Sequence, residues 1–321
     1  MGFIDAMRSE GHAVESTCRV LREQGCQVAA RTYRAWKRPT RPVAARTISD
    51  ARVVDLVRSL VWQTDRAGRR RMTPEGLYGR RKMTALVRRH LPGTSAGSVD
   101  RAMRTLGLSG VRRAKGTRTT IPAKDGHRAG DLLNRDFTAP APNQVWVMDF
   151  TYCHTWAGFV YVAFVVDVFA QTILGWHTHT IKDAGLVTTA ARMAMWRRDR
   201  EDHQPVPGQL IGHSDAGAQY TSLRFTEHCQ IDGIRPSIGT VGDAFDNALM
   251  ETVIGLYKTE CIRTTIFHPG PFKTIADVEY ATAGWVDWYN NRRLHSSLDY
   301  LTPIEYEQAH YAALTREPQP V

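Results

Sequence analysis

A chain of 321 residues with 42% hydrophobic content exceeds one ordinary domain and carries enough apolar material for packed cores. Its five cysteines (Cys18, Cys26, Cys153, Cys229 and Cys261) are far apart and form no Cys-x-x-Cys pair, which argues against a zinc ribbon or a secreted disulfide scaffold and for reduced thiols in a cytosol; neither a leader peptide nor an 18-residue apolar run is present, so a membrane role is not expected. The net charge of +10 is unevenly placed, with +17 on residues 1–142 and −7 on residues 143–321, and a front half of that sign is an electrostatic footprint for a polyanion.

Taken in order, residues 13–24 have helical spacing through Val14, Cys18 and Leu21, and Gly25 ends the helix. A second short helix runs from Ala29 to Lys37, with Ala30, Tyr33 and Trp36 inward and Arg31, Arg34, Lys37 and Arg38 outward. Helix, glycine turn and basic helix make a first helix-turn-helix candidate over 1–40. After the breaker Arg38-Pro39-Thr40-Arg41-Pro42, helical spacing returns from Ile48 to Thr64 and again through Leu86, Val87 and Leu91. Pro92-Gly93-Thr94 is a turn, Ser95 or Ser98 is positioned to cap the next helix, and Arg101 and Arg104 face outward from its inner row Val99, Met103 and Leu106. These features give a second helix-turn-helix over 46–115. The basic stretch that contains Arg112 and Arg113 opens a linker, 116–142, suited to following a phosphate backbone.

Beyond Ala139-Pro140-Ala141-Pro142 the period changes. Val145–Tyr152, Phe159–Asp167 and Thr172–His177 read as strands, the first two joined by a hairpin at Trp156-Ala157-Gly158. Asp183–Arg197 reads as a helix, Gln209–Gly212 as a fourth strand, Ser222–Ile231 as a helix and Ile234–Ile238 as a fifth strand. A helix from Ile275 to Trp288 and a last one started by Pro303 complete the chain, giving a core over 143–265 and a helical extension over 266–321.

Three acids stand out against this frame. Asp149 lies in the β-prone run Val145–Tyr152. Asp215 follows Leu210-Ile211-Gly212, where a strand ends, and Glu251 sits in a helical segment whose apolar face is Leu249, Val253 and Leu256. On that helix Asn247, Glu251 and Lys258 share the other face. Carboxylates from a central strand, its neighbour and a helix suit hard divalent cations, and a pair of such ions serves phosphodiester chemistry. Asp167, also in strand context, reads as structural or supporting, and His213 equally as a near-site donor or a packing histidine.

The chain resembles the catalytic (OrfB-type) transposases of the IS-three group of bacterial insertion sequences, within the DDE transposase and retroviral integrase superfamily. The resemblance is carried by Trp146-Val147-Met148-Asp149-Phe150-Thr151, by His213-Ser214-Asp215-x-Gly217-x-Gln219-Tyr220, by Asp246-Asn247-Ala248-x-x-Glu251 with Lys258, and by Tyr289-Asn290-x-x-Arg293-x-His295-Ser296-Ser297-Leu298; 35 residues separate Asp215 from Glu251, as in the superfamily. It implies an α/β fold: a ribonuclease H-like core with a five-stranded mixed sheet and flanking helices, preceded by all-α helix-turn-helix modules. It further implies that Asp149, Asp215 and Glu251 are the catalytic acids and hold two Mg²⁺ (or Mn²⁺) ions. The expected reaction frees a 3′-OH at an element end and lets it attack a second phosphodiester. DNA contacts are expected from Lys258, Asn247, Arg101, Arg104, Arg112, Arg113, Arg293 and His295. The expected partners are terminal inverted repeats, target DNA, further copies of the chain on DNA, and an upstream reading-frame product; the expected location is the nucleoid in the cytoplasm. Thr252-Val253 and Tyr257 depart from the family's usual Ser-Phe and Leu without touching the acids. A non-catalytic DNA-binding regulator and a ribonuclease H-like nuclease are the alternatives.

Overall fold

The computed structural model describes residues 1–38, 43–112, 138–214, 226, 227, 229, 231–238 and 248–315. Asp215, Asn247, Arg113, nearly all of the basic linker and most of the helix expected over 222–231 lie outside them. The chain divides into two compact units, Met1–Arg52 and Val53–Val321.

The first unit holds helices α1 (Gly2–Ser9), α2 (Val14–Glu23) and α3 (Ala30–Lys37), closed around Ile4, Cys18 and Tyr33. Helix α1 was not expected from the spacing. It earns its place through Asp5, which accepts a hydrogen bond from Tyr33 Oη at 2.7 Å and pairs with Lys37 at 2.8 Å. Lys37 pairs with Asp5 and Arg34 with Glu15, so two of the expected outward cations are already matched by acids.

Helix α4 (Ala45–Val61) crosses the boundary between units and feeds a two-stranded hairpin, β1 (Trp62–Thr64) and β2 (Arg70–Met72), where the sequence had suggested continued helix. Helices α5 (Arg80–His90) and α6 (Ala96–Thr105) follow, and Ser95 Oγ accepts from Ser98 N to cap α6.

The sheet contains β3 (Val145–Thr155), β4 (Gly158–Asp167), β5 (Ile173–His179), β6 (Ile211–Ser214) and β7 (Arg235–Ile238), in the order β5-β4-β3-β6-β7. Strands β3, β4 and β5 are antiparallel; β6 and β7 run parallel to β3. Alternation sends Val145, Val147 and Cys153 to one face and Trp146 and Met148 to the other. Helix α7 (Ala184–Arg200), capped by Asp183, covers the second face. Gly175 permits its close approach, since a Cβ there would lie 2.1 Å from the Ala190 carbonyl oxygen. The first face is covered by α8 (Ala248–Leu256), a π-helical turn (Tyr257–Ile262) and α9 (Ile275–Asn291); α10 (Pro303–Leu314) packs on α9.

Helices α4, α5 and α6 share their apolar core with this face of the sheet. Tyr78 Oη donates to the Arg292 carbonyl at 3.2 Å and accepts from Leu294 N at 2.9 Å. Arg89 makes two 2.8 Å bonds to the Glu305 carboxylate. The segment expected as a helix-turn-helix module over 46–115 is therefore joined from Val53 onward to the same compact unit as the sheet. Among the described residues, no helix is long and apolar enough to cross a membrane.

Candidate active site

Asp149 stands on the central strand β3, opposite Phe164 of β4, and is half-buried. It follows the buried run Val145–Met148, and one of its carboxylate oxygens accepts from Phe150 N at 2.7 Å. By strand alternation it belongs to the face of Val147 and Cys153, the face that α8 covers. The parallel ladder between β3 and β6 pairs Met148 with Ser214, the residue before Asp215. The two strands that carry Asp149 and lead into Asp215 are thus direct neighbours, although Asp215 itself lies outside the described residues.

Helix α8 buries Met250 and Val253 and leaves Glu251 exposed, with no hydrogen-bond or ion-pair partner among the described residues. At Tyr257 the helix widens into a π-helical turn, of which Lys258 is the second residue. What fixes the turn is Tyr257: its ring packs edge-on to Phe164 and Trp285, and its hydroxyl meets Thr282 Oγ1 at 2.7 Å and Cys153 Sγ at 3.8 Å. This seats Lys258 with its Nζ 5.1 Å from the centre of the Tyr152 ring on β3. Tyr152 is in turn edge-packed on Phe159, which contacts His154. Sequence reading missed this aromatic seat; Tyr152 and His154, two apart on a strand, were its signal.

Arg293 and His295, expected to meet phosphate, do not reach the surface: each is 3% exposed. Arg293 grips the Glu260 carboxylate through Nε at 2.8 Å and Nη2 at 2.7 Å, a bidentate buried pair. His295 packs edge-on to Tyr289. Burial, reinforced by the Arg293 charge, holds its imidazole well below the ordinary value of 6.5, so the ring is neutral. Asn290 completes this segment by accepting from Ile173 N at 3.0 Å and donating to the Ile173 carbonyl at 2.8 Å, closing the backbone of edge strand β5. The motif Tyr289-Asn290-x-x-Arg293-x-His295 is a structural lock.

Asp167 is also structural. It is wholly buried, pairs with Arg198 at 3.0 Å, and accepts from Asn143 N at 2.8 Å and Phe169 N at 3.0 Å. Burial pushes its carboxyl up, and Arg198 pulls it back. Arg198 meets Glu307 of α10 and, through Nε at 2.7 Å, Asn143 Oδ1. His213 is buried, with its Nδ1 2.9 Å from Ser237 Oγ. Of the remaining expected DNA contacts, Arg101 is half-buried and bonded to Ser98 Oγ at 3.0 Å, Arg104 is exposed and paired with Asp100, and Arg112 is exposed.

Asp149 and Glu251 both offer carboxylate oxygens, a donor chemistry that suits hard divalent cations. The described residues hold no group of three metal-ligating side chains, the third acid lying beyond them.

Comparison with known proteins agrees with this architecture. Residues 139–244 match one Integrase core domain family and residues 232–303 match another of the same description. The chain is 46% identical over 242 residues to a protein of Mycobacterium tuberculosis assigned as the transposase of insertion sequence element IS986/IS6110, covering 75% of this chain and 85% of that one. It is 43% identical over 238 residues to the transposase of IS629 from Shigella sonnei (74% and 76% covered) and 31% identical over 241 residues to transposase InsF of IS3A from Escherichia coli (73% and 78% covered). The chain belongs to the IS-three family of insertion-sequence transposases, enzymes of the DDE transposase and integrase superfamily.

Proposed function

We propose that this transposase cuts DNA at the ends of an insertion sequence and joins the freed 3′-OH to target DNA, with Asp149, Asp215 and Glu251 as its acids. The observation that carries the reading is the β3–β6 ladder: it sets the strand of Asp149 beside the strand leading into Asp215, on a sheet whose Asp149 face is covered by the helix of Glu251. The superfamily is generally dependent on divalent metals, and an all-carboxylate donor set fits two Mg²⁺ or Mn²⁺ ions. When bound, such ions supply activation of the attacking oxygen and charge stabilisation at the leaving one.

The chain's own residues do the rest. The rigid backbone of β3, paired on both sides, fixes where Asp149 stands. Lys258, seated on Tyr152 and without an acidic partner among the described residues, keeps a whole positive charge for a DNA phosphate. Arg101, Arg104, Arg112, Arg113 and Asn247 extend the expected contacts along terminal inverted repeats and target DNA, whereas Arg293 and His295 are withdrawn from that set. We place the reaction on nucleoid DNA in the cytoplasm, with several copies of the chain bound together and an upstream reading-frame product as a further partner.

The test is incubation of the full chain with labelled terminal DNA, target DNA and Mg²⁺. Release of a 3′-OH end and a joined product is expected. Cleavage of RNA–DNA hybrid without joining would replace this reading with that of a nuclease.

A further inference from the structure

The β1–β2 hairpin interrupts the segment expected from the sequence as a helix-turn-helix, and its charge is concentrated. Residues 65–71 hold Arg66, Arg69, Arg70 and Arg71 against one acid, Asp65. That acid is spent on shaping the turn. One carboxylate oxygen accepts from Ala67 N and Arg69 N, both at 2.9 Å, and the other meets Arg71 Nε at 2.8 Å and Arg69 Nε at 3.1 Å. These bonds hold the Asp65 carboxyl far below the usual carboxylate range, the Arg71 bond foremost. Gly68, at φ +75°, closes the turn, and the base is pinned where Met72 and Val61 crowd Gly76, which has room for no side chain. A prebuilt loop therefore presents the two arginines that Asp65 does not hold. Arg66 has no partner among the described residues. Arg70 holds its guanidinium carbon over Trp62, 4.2 Å from the ring centre, a seat that positions the group without neutralising it.

The hairpin also has something to hold against. Across a groove of about 700 Å³ it faces His268, Asp277 and Tyr280 of the sheet-bearing half of the same unit, and Tyr280 is 72% exposed. The acid on that wall is engaged by the backbone N–H groups of Lys273 at 2.8 Å and Thr274 at 3.0 Å and by His268 at 3.3 Å.

We propose that the hairpin is a DNA-backbone clamp: Arg66, on the wall of this groove, and Arg70, over Trp62 and outside the groove, each engage a phosphate of duplex DNA laid against the hairpin. The proposal rests on the DNA-processing function given above. Each phosphate neutralised adds about 0.9 to the slope of log affinity against log salt. The double variant Arg66→Ala, Arg70→Ala in the full chain should therefore bind duplex DNA with a slope shallower by about 1.8. Between 50 and 200 mM salt, wild-type affinity should fall about tenfold more than that of the variant. Arg66→Ala alone, which breaks no contact with any described residue, should remove about half of that change with an unaltered melting temperature. Wild-type binding with the same slope in both variants would overturn the clamp while leaving the function intact. Failure of the wild-type chain to bind DNA at all would overturn both.

Discussion

Around Asp149, Glu251 and Lys258 the charged groups stand half-buried or exposed. Around Asp167, Arg198 and Glu307, and again at Glu260 and Arg293, the same residue types are sealed inside. The difference is one of partners. Each interior acid has an arginine at hydrogen-bond distance and a further donor besides (backbone N–H groups for Asp167, the Trp285 ring N–H for Glu260, the Thr172 hydroxyl for Glu307), because a buried charge without them is too costly to keep. Glu251 and Lys258 have no opposite charge among the described residues. Solvent covers that omission in the free protein, and a ligand can take its place. An acid or base in this fold is marked for chemistry by what it lacks rather than by its type.

The sharpest way to break this division is to remove charges of each class in turn. Asp149→Asn, Asp215→Asn and Glu251→Gln should each lower DNA cleavage and joining below about 1% of wild type, at least about 2.7 kcal/mol on the barrier. Asp149 is half-buried and Glu251 exposed, so in those two variants the melting temperature should move by no more than about 2 °C. Activity above a few per cent in any of the three removes that residue from the set of acids. Arg198→Ala should do the opposite. It strands Asp167 and Glu307 without a counter-charge and cuts the link from Asn143 to α10, which should cost roughly 3–5 kcal/mol in denaturant unfolding. Molecules that remain folded should still join strands. Unchanged stability would mean that the cluster is a passenger.

How far the sequence showed these classes depends on how local the cause was. Strand periods, the hairpin at Trp156-Ala157-Gly158 and the cap at Ser95 are short-range signals, and the structure has them at or within a few residues of the expected positions. Hairpin β1–β2 was hidden because the helical spacing of Val53–Val61 runs on through Trp62–Thr64; Asp65 and Gly68 turn the chain back, and the Asp65 bonds to Ala67 and Arg69 reveal it. The surface roles expected of Arg293 and His295 failed for a long-range reason. The acid that absorbs Arg293 is Glu260, 33 residues away, and it points inward only because the π-helical turn carries it there. Charge alone cannot reveal a partner that the fold supplies. The same long-range joining bears on the charge asymmetry: residues 53–112 share a core with the sheet, so separating residues 1–142 from 143–321 would cut through packed side chains as well as through a charge boundary.

A gentler probe of the interior is acid. His295 is neutral in the fold because its value is depressed, while the unfolded chain titrates near 6.5. Below that pH the unfolded state binds a proton that the native state refuses. Stability therefore rises with pH up to about 6.5, is flat above it for this group, and is lost as pH falls, by up to about 1.4 kcal/mol per unit. His295→Gln, which keeps a polar group near the Tyr289 carbonyl, should flatten the stability profile between pH 5.5 and 6.5 relative to wild type. An identical slope in the variant would show that His295 is protonated in the native state and that the interior tolerates its charge.

The smallest expected effect belongs to Lys258, and it tests the surface side of the comparison. The ammonium is held over the Tyr152 ring, half-buried, with no acid to discharge it. Its seat depends on the π-helical turn, which Tyr257 anchors to Thr282 and Cys153; Lys258 itself contributes little to that anchorage. Removing the cation should thus leave the fold alone. An exposed point charge on a phosphate is worth on the order of 1 kcal/mol, so Lys258→Ala should reduce strand joining and terminal-DNA crosslinking by about three- to tenfold, with metal-dependent protection of the acids unchanged. Lys258→Arg should recover most of the loss, because a guanidinium both stacks on the tyrosine and reaches a phosphate. Tyr152→Leu should reproduce a milder form of the defect, since the charge remains but its orientation does not. Joining at wild-type levels in Lys258→Ala would reassign the residue to the solvated surface and leave the acids to work without a nearby cation.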